Sequence, residues 1–189
     1  MDTTVISLLE KRYACRAISP EPVEQEKIDA IINAAQLSAS CMNNQPWRFL
    51  VLTEPEALER GRQGILDGNY WAKEAPVLMI GFSKRDLDCD PPDDRKYFLF
   101  DVGMAVQNIL LQATELDLVA RPMAGFNPEK MKGIFSLPDE YTVIVTIAIG
   151  YKGDLENLND KHKKVSTAPR KRDPVEENFF FNWYDEKED

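Results

Sequence analysis

The chain has 189 residues, of which 43% are hydrophobic and 29% are charged, so one domain with a buried core is expected. This composition excludes a disordered chain, a fibre and a disulfide-rich miniprotein. The 32 acidic residues outnumber the 23 basic ones, and the net charge of −9 argues against nucleic acids and anionic membranes as main partners. The longest apolar runs have the length of strands, so no membrane segment is predicted.

The three cysteines, Cys15, Cys41 and Cys89, are odd in number and contain no CxxC spacing. In a chain of this length they do not indicate a disulfide framework, and a reducing compartment is expected. The N-terminal apolar run over residues 5–9 is too short for a signal peptide. Together these features predict a cytoplasmic protein.

The first half of the chain alternates between helical and strand patterns. Apolar spacing and turn residues define five elements there. They are helices over residues 3–12, 23–37 and 54–66, and strands over residues 47–53 and 77–82. The second strand, VLMIGF, is apolar enough to be buried on both faces. A polar loop that contains two prolines follows over residues 83–96.

The second half begins with the most informative segment, residues 97–116, which has a helical pattern that is apolar almost all round. Such a helix must be enclosed, and in a domain of this size a partner subunit could cover one face. A short extended piece over residues 119–122, a helix over residues 128–135 capped by Asn127, and a strand over residues 141–149 follow. We therefore expect a core domain over residues 1–150.

The C-terminal extension, residues 151–189, differs in composition from the core. It contains a long polar stretch and the basic triplet Arg170-Lys171-Arg172, then five aromatic residues in the six positions from Phe179 to Tyr184. Each such ring could bury on the order of 150–250 Å², so we expect this aromatic cluster to pack against another surface.

Several common chemistries are absent from the sequence. The order of elements contains no clean βαβ series, and neither a GxGxxG nor a phosphate-binding P-loop motif occurs, so a Rossmann domain is not expected. The single histidine, His162, lies in a KHKK stretch and is interpreted as a solvated surface residue. It supports neither a serine-protease triad nor a zinc site. A chain with so few acids and bases could still be an enzyme if a cofactor performs the reaction.

Two polar clusters in the first half are candidates for ligand binding. Arg12 and Arg16 follow the first helix, and guanidinium groups bind phosphate and planar anions through paired hydrogen bonds. The same two residues could simply interact with the helix dipole. Ser40, Asn43 and Gln45 share one loop and could bind the edge of a heterocycle, although ordinary turn chemistry also explains them.

Two further candidates lie in the second half. The PMAGF segment, Pro122 to Phe126, contains a glycine that would let the backbone approach a flat ligand closely, or it forms a plain turn. The Arg170-Lys171-Arg172 triplet is a second basic site near the far end of an acidic chain, or a solvated run of charge.

Read in order, these pieces match a known pattern that extends from residue 5 to about residue 184. The matching motifs are Arg12-Tyr13-Ala14-Cys15-Arg16, the loop Ala39 to Trp47 (ASCMNNQPW), Asn69 before Ala75-Pro76, the helix start Asp101-Val102-Gly103-Met104-Ala105, Pro122 to Phe126, and Arg170 to Pro174 (RKRDP). In this ordered set the chain resembles the flavin-dependent nitroreductase family. Ala14 departs from the pattern, because many members have serine there, and so does Ala39, where proline is usual.

The resemblance implies an α+β fold, namely a nitroreductase-like α/β/α sandwich whose mixed, mostly antiparallel sheet is flanked by helices. It also implies a homodimer with the C-terminal arm swapped onto the partner and with FMN bound in two clefts at the subunit interface. The implied activity is an oxidoreductase that uses NADH or NADPH to reduce nitroaromatics, quinones or similar acceptors by ping-pong hydride transfer. The flavin N5 atom would carry the chemistry, without a catalytic side chain or a metal.

The resemblance also implies roles for individual residues. Arg12, Arg172 and Arg170 would bind the FMN phosphate, and Arg16 would lie near the ribityl chain and the N1–O2 edge of the ring. Asn69 would meet the pyrimidine edge. The partner subunit would contribute Ser40 and Asn43 beside the ring, and the backbone of Ala124 and Gly125 would lie near N5. The residues expected to bind the cofactor are Arg12, Tyr13, Ala14, Arg16, Ser40, Asn43, Gln45, Asn69, Ala124, Gly125, Arg170 and Arg172.

Two other functions remain open at this point. A non-catalytic protein that binds or stores FMN would need the same anchoring residues, and it would show no oxidation of NADH or NADPH. A flavoenzyme of the same fold with different chemistry, such as reductive dehalogenation, would differ mainly in the substrate side of its site.

Overall fold

A computed structural model describes residues 4–184. Its single sheet contains four strands, which are β1 (Arg48–Leu52), β2 (Val77–Ser83), β3 (Val119–Met123) and β4 (Thr142–Gly150). Their order across the sheet is β1-β2-β4-β3, and every pairing is antiparallel. The sequence predicted all four strands in a mixed, mostly antiparallel sheet, and the described strands form a wholly antiparallel one.

The described part of the chain contains seven α-helices. They are α1 (Ser7–Lys11), α2 (Gln25–Gln36), α3 (Pro55–Arg62), α4 (Phe98–Glu115), α5 (Pro128–Phe135), α6 (Asp160–Thr167) and α7 (Val175–Asn178). Of these, α3, α4 and α5 contact the sheet directly. Short 3-10 segments occur at Cys41–Asn43, Asp67–Glu74, Arg85–Leu87 and Leu155–Asn157. Within residues 4–184, no helix is both long enough and apolar enough to cross a membrane.

Strand β2 lies between two apolar layers, one on each face of the sheet, and is buried along its whole length. Val77 and Met79 point to one side, where they pack with α2 and α4. Leu78 and Ile80 point to the other side, where the core includes residues of α3 and α5. Because successive strand residues face opposite sides of a sheet, an entirely apolar strand requires cover on both faces. The α/β/α sandwich and the double burial of this strand are thus confirmed.

Local sequence signals explain several helix boundaries. Pro55 and Pro128 each occupy the first position of a helix, where the missing N–H costs nothing. The side chain of Asn127 accepts a hydrogen bond from the backbone N–H of Lys130 at 2.9 Å, which confirms it as the N-cap of α5.

Other predicted boundaries were wrong. The first helix was predicted over residues 3–12, but α1 contains five residues, Ser7–Lys11, and residue 3 lies outside the described part. The helix predicted over residues 54–66 ends at Arg62. In the C-terminal extension the sequence predicted no helix, yet α6 and α7 form there, and residues 185–189 lie outside the described part. The side chain of Asn159 caps α6 by accepting from the N–H of His162, a signal that was present in the sequence.

Helix α4 and the C-terminal aromatic cluster leave large apolar surfaces exposed in a single chain. Helix α4 buries one side, yet the Leu99 side chain is 42% exposed and that of Phe100 is 56% exposed. In the aromatic cluster Phe181 is 89% and Trp183 is 83% exposed. The expectation that these surfaces are enclosed is therefore not met by one chain alone.

The structure contains a disulfide that the sequence analysis did not predict. Cys41 and Cys89 form a disulfide, with their Cα atoms 5.8 Å apart, and among the described residues only the buried Cys15 is a free cysteine. The two partners are 48 residues apart in sequence, and they meet only because the fold brings the loop over residues 38–46 against the loop over residues 83–96. The cysteine count therefore no longer supports a reducing compartment, and the disulfide joins two loops that the sequence left unrelated.

Candidate functional site

Five arginines line one cavity of about 750 Å³, and Tyr13 and Ala14 contribute to the same wall; we call it the cation cavity. The five are Arg12, Arg16, Arg121, Arg170 and Arg172. Arg12 and Arg16 follow α1, Arg121 lies in β3, and the other two follow α6. Within residues 4–184, none of the five has a carboxylate within 4 Å. In a chain with a net charge of −9, such a group of cations without a carboxylate neighbour in residues 4–184 has the chemistry that binds anions.

Arg170 attaches the C-terminal extension to the end of α1. Its guanidinium donates to the carbonyl of Leu9 at 3.2 Å, to that of Glu10 at 2.9 Å, and to that of Arg12. A cation at a helix C-terminus also interacts favourably with the helix dipole. This contact brings the two basic segments together, although it uses donors of Arg170 that the resemblance assigned to a phosphate.

The two segments affect each other electrostatically. Burial lowers the pKa of Arg12, and the positive charges of Arg170 and Arg172 lower it further. Burial also raises the pKa of Tyr13 to about 12, with a smaller contribution from the neighbouring Cys15 thiol. Tyr13 is therefore neutral at physiological pH and adds no negative charge to the cation cavity.

A second cavity of about 480 Å³ adjoins the first, and we call it the amide cavity. Its walls include Asn69, Arg121, Ala124 and Gly125. The side chain of Asn69 donates to the carbonyl of Gly125 at 3.0 Å. A Cβ atom on Gly125 would overlap the amide nitrogen of Asn69. The group packed closely against this glycine within the described chain is the Asn69 side chain, and a close approach to a flat ligand stays a prediction.

Ser40, Asn43 and Gln45 line neither cavity. The backbone N–H of Gln45 donates to Ser40 Oγ at 3.0 Å, and its side chain donates to the carbonyl of Asn43 at 3.0 Å. Met42, Asn43 and Gln45 all have positive φ angles, of 51°, 58° and 48°, which is an uncommon conformation for residues other than glycine. The resemblance assigns Ser40 and Asn43 to the partner subunit's site, and that assignment stays a prediction.

Two residues near the cavities were missed or misread in the sequence. His162 was predicted to be solvated, but it is half-buried and stacks on Tyr70, with the ring centroids 5.5 Å apart. Burial lowers the pKa of His162, and the charges of Arg16, Lys161 and Arg121 lower it further. Arg121 was not a candidate at all, although a charged residue inside the apolar segment VARPM was a signal that could have identified it.

The structure therefore defines an α+β sandwich with a cavity lined by five arginines and an adjoining cavity lined by an amide and backbone. The sequence profile described as the Nitroreductase family matches residues 9–69 and 66–151. These segments cover more than half of the chain, and the protein belongs to the nitroreductase family.

Individual relatives agree with this family. A protein of Methanothermobacter thermautotrophicus, provisionally named NADH dehydrogenase/NAD(P)H nitroreductase, is 29% identical over 161 residues, which cover 82% of this chain and 81% of the relative. Iodotyrosine deiodinase of Danio rerio is 32% identical over 95 residues, 45% of this chain and 32% of the relative. A crystal structure described as an oxidoreductase containing FMN superposes with a TM-score of 0.87 and 27% identity, over 99% of this chain and 96% of the other.

Gly125→Ala tests the packing of the amide cavity. The added methyl group would displace the Asn69 amide and break its hydrogen bond to the residue 125 carbonyl, so we expect the free energy of unfolding to fall by about 1–3 kcal/mol. Gly133→Ala is the matched control, because its Cβ would lie in open space on α5. Its free energy of unfolding should rise by about 0.5–1 kcal/mol. Urea denaturation measures both; equal effects of the two variants would show that Gly125 has no special packing role.

Proposed function

We propose that the protein is a homodimeric FMN-dependent oxidoreductase that takes hydride from NADH or NADPH and passes it to nitroaromatics, quinones or similar acceptors. The observation that carries the proposal is the cluster of five arginines that have no carboxylate of residues 4–184 within 4 Å, beside a second cavity with hydrogen-bonding groups. The family and the FMN-containing structural neighbour support the same cofactor.

The residues present fit FMN at both of its ends. A phosphate needs several charge-assisted donors, and the cation cavity offers the guanidinium groups of Arg12, Arg16 and Arg172. A flat heterocycle needs a slot with a few polar groups, and the amide cavity offers Asn69 together with backbone of the segment that ends at Gly125. Both cavities fall within the size range of ordinary ligand sites, about 300–1,000 Å³.

In the proposed mechanism FMN would supply the hydride-transfer chemistry. The protein would bind and orient the cofactor and place positive charge around it. Arg12 and Arg172 hold the phosphate end, and Arg16 contributes positive charge that favours the more negative, reduced form of the cofactor. Asn69 is oriented by its bond to the carbonyl of Gly125 and presents its remaining amide atoms to the pyrimidine edge. No side chain has to act as an acid or a base, which agrees with the scarcity of histidine in the sequence.

We also propose that two chains complete each site. The core over residues 1–150 leaves Leu99 and Phe100 exposed on α4, and the extension over residues 151–189 leaves its aromatic cluster exposed. A partner subunit would cover both surfaces and would bring its loop with Ser40 and Asn43 towards the ring.

Truncation of the extension tests the dimer. In light scattering the full chain should have twice the mass of 21.6 kDa. A chain that ends at residue 174 lacks the aromatic cluster, so it should be monomeric and should bind FMN at least about tenfold more weakly. A chain that ends at residue 184 keeps the aromatic cluster and should remain dimeric. A monomeric full-length chain that binds FMN tightly would contradict the proposed dimer.

The absorbance spectrum tests the proposed activity. Purified protein supplied with FMN should be yellow, anaerobic NADH or NADPH should bleach the flavin band, and a quinone or nitroaromatic should restore it. Protein that stays colourless with FMN would contradict the proposal. Bound FMN that neither nucleotide reduces would indicate the storage function instead.

Reductive dehalogenation is a second candidate, which the partial similarity to iodotyrosine deiodinase favours. It requires the same cofactor and the same cation cavity. Release of halide from a halogenated phenol by the reduced protein, together with slow turnover of quinones and nitroaromatics, would favour it.

A further inference from the structure

Arg121 lies at the boundary between the two cavities. Of the five arginines of the cation cavity, it alone also lines the amide cavity. Strand β3 places it there, two residues before the end of the strand and directly before the segment Pro122 to Phe126. A ligand that extends from one cavity to the other must therefore pass its guanidinium group.

The guanidinium of Arg121 is held in place on two sides. Its Nη1 atom donates to the carbonyl of Ala14 at 2.9 Å, and its central carbon lies 5.4 Å from the centroid of the Trp71 ring. Trp71 itself is buried, at 3% exposure, so it provides a fixed surface. This is the only hydrogen bond that the side chain makes with residues 4–184, although a guanidinium has five N–H donors. The group is positioned by the fold while most of its donors have no protein acceptor in residues 4–184.

The charge of Arg121 is not compensated by the described part of the chain. The side chain is half-buried, and no carboxylate of residues 4–184 lies within 4 Å of it. Burial, and then the nearby charge of Arg16, lower its pKa to about 10, so it is still a cation at neutral pH. A partly desolvated cation beside a like charge is unfavourable unless an anion balances it.

We propose that Arg121 is an FMN-binding residue that joins the phosphate and ring ends of the site and stabilises the reduced cofactor. The inference rests on the proposed function and adds to it a residue from outside the recognised motifs. The backbone carbonyl of Ala14 orients the Arg121 guanidinium towards the cation cavity.

The test compares Arg121→Met and Arg121→Lys with the wild type. Arg121→Met should weaken FMN binding about tenfold or more, measured by quenching of flavin fluorescence, because charge-assisted bonds are lost. It should also weaken binding of reduced FMN about tenfold more than that of oxidised FMN, which lowers the midpoint potential by about 30 mV for a two-electron couple. Arg121→Lys should lose affinity, since lysine lacks the planar fork, but should keep the potential close to that of the wild type.

Arg60→Met is the matched control, because Arg60 also donates to a backbone carbonyl, that of Ile134 at 2.6 Å, but lines neither cavity. It should change neither the affinity nor the potential. A wild type that does not bind FMN would overturn the proposed function itself. A wild type that binds FMN, with unchanged potential in Arg121→Met, would overturn only the role of Arg121. Should Arg121→Met fail to fold, unchanged FMN affinity in Arg121→Lys would overturn that role.

Discussion

The structure depends on one electrostatic constraint, which is that five guanidinium groups share a cavity without a carboxylate of residues 4–184 to balance them. Like charges held close together in partly buried positions oppose folding, and an acidic chain has many carboxylates that could have been placed among them. We propose that an anion completes this positive cavity. The family of the chain and the FMN-containing neighbour support the anion we propose, which is the phosphate of FMN.

The fold assembles this cavity from distant parts of the chain. Arg12 and Arg16 follow the first helix, and Arg172 comes from the C-terminal extension more than 150 residues later. Arg170 fastens the two segments together through the carbonyls at the end of α1. Strand β3 adds Arg121 from the sheet, which itself is fixed by apolar packing on both faces. Binding of an anion in this cavity would thus be coupled to packing of the sandwich, because the same elements contribute to both.

Local patterns in the sequence predicted what depends on local physics. The apolar run of β2, the long helix α4 and the Asn127 cap were all predicted, because burial on two faces and helix capping show directly in residue order. The ordered motifs also indicated most residues that line the two cavities. The four-stranded sheet was predicted in its elements, although its purely antiparallel pairing was not.

What the sequence did not predict depends on contacts between distant segments. The Cys41–Cys89 disulfide joins two loops 48 residues apart, and the stacking of His162 on Tyr70 joins α6 to the segment before β2. Arg121 was missed for the same reason, since a single arginine in a strand acquires its meaning only from the carbonyl and the indole ring that position it. The loop with Ser40 and Asn43 lines neither cavity in one chain, and its place in a partner subunit's site stays a prediction.

The most direct test of the central claim is calorimetric binding of FMN and of riboflavin, which has the same ring but no phosphate. If the unpaired arginines bind the phosphate, FMN should bind at least about 100-fold more tightly than riboflavin, because several charge-assisted hydrogen bonds are added. The difference should shrink as the salt concentration rises. Equal affinities for the two flavins at low salt would contradict the claim that this positive cavity exists to bind a phosphate.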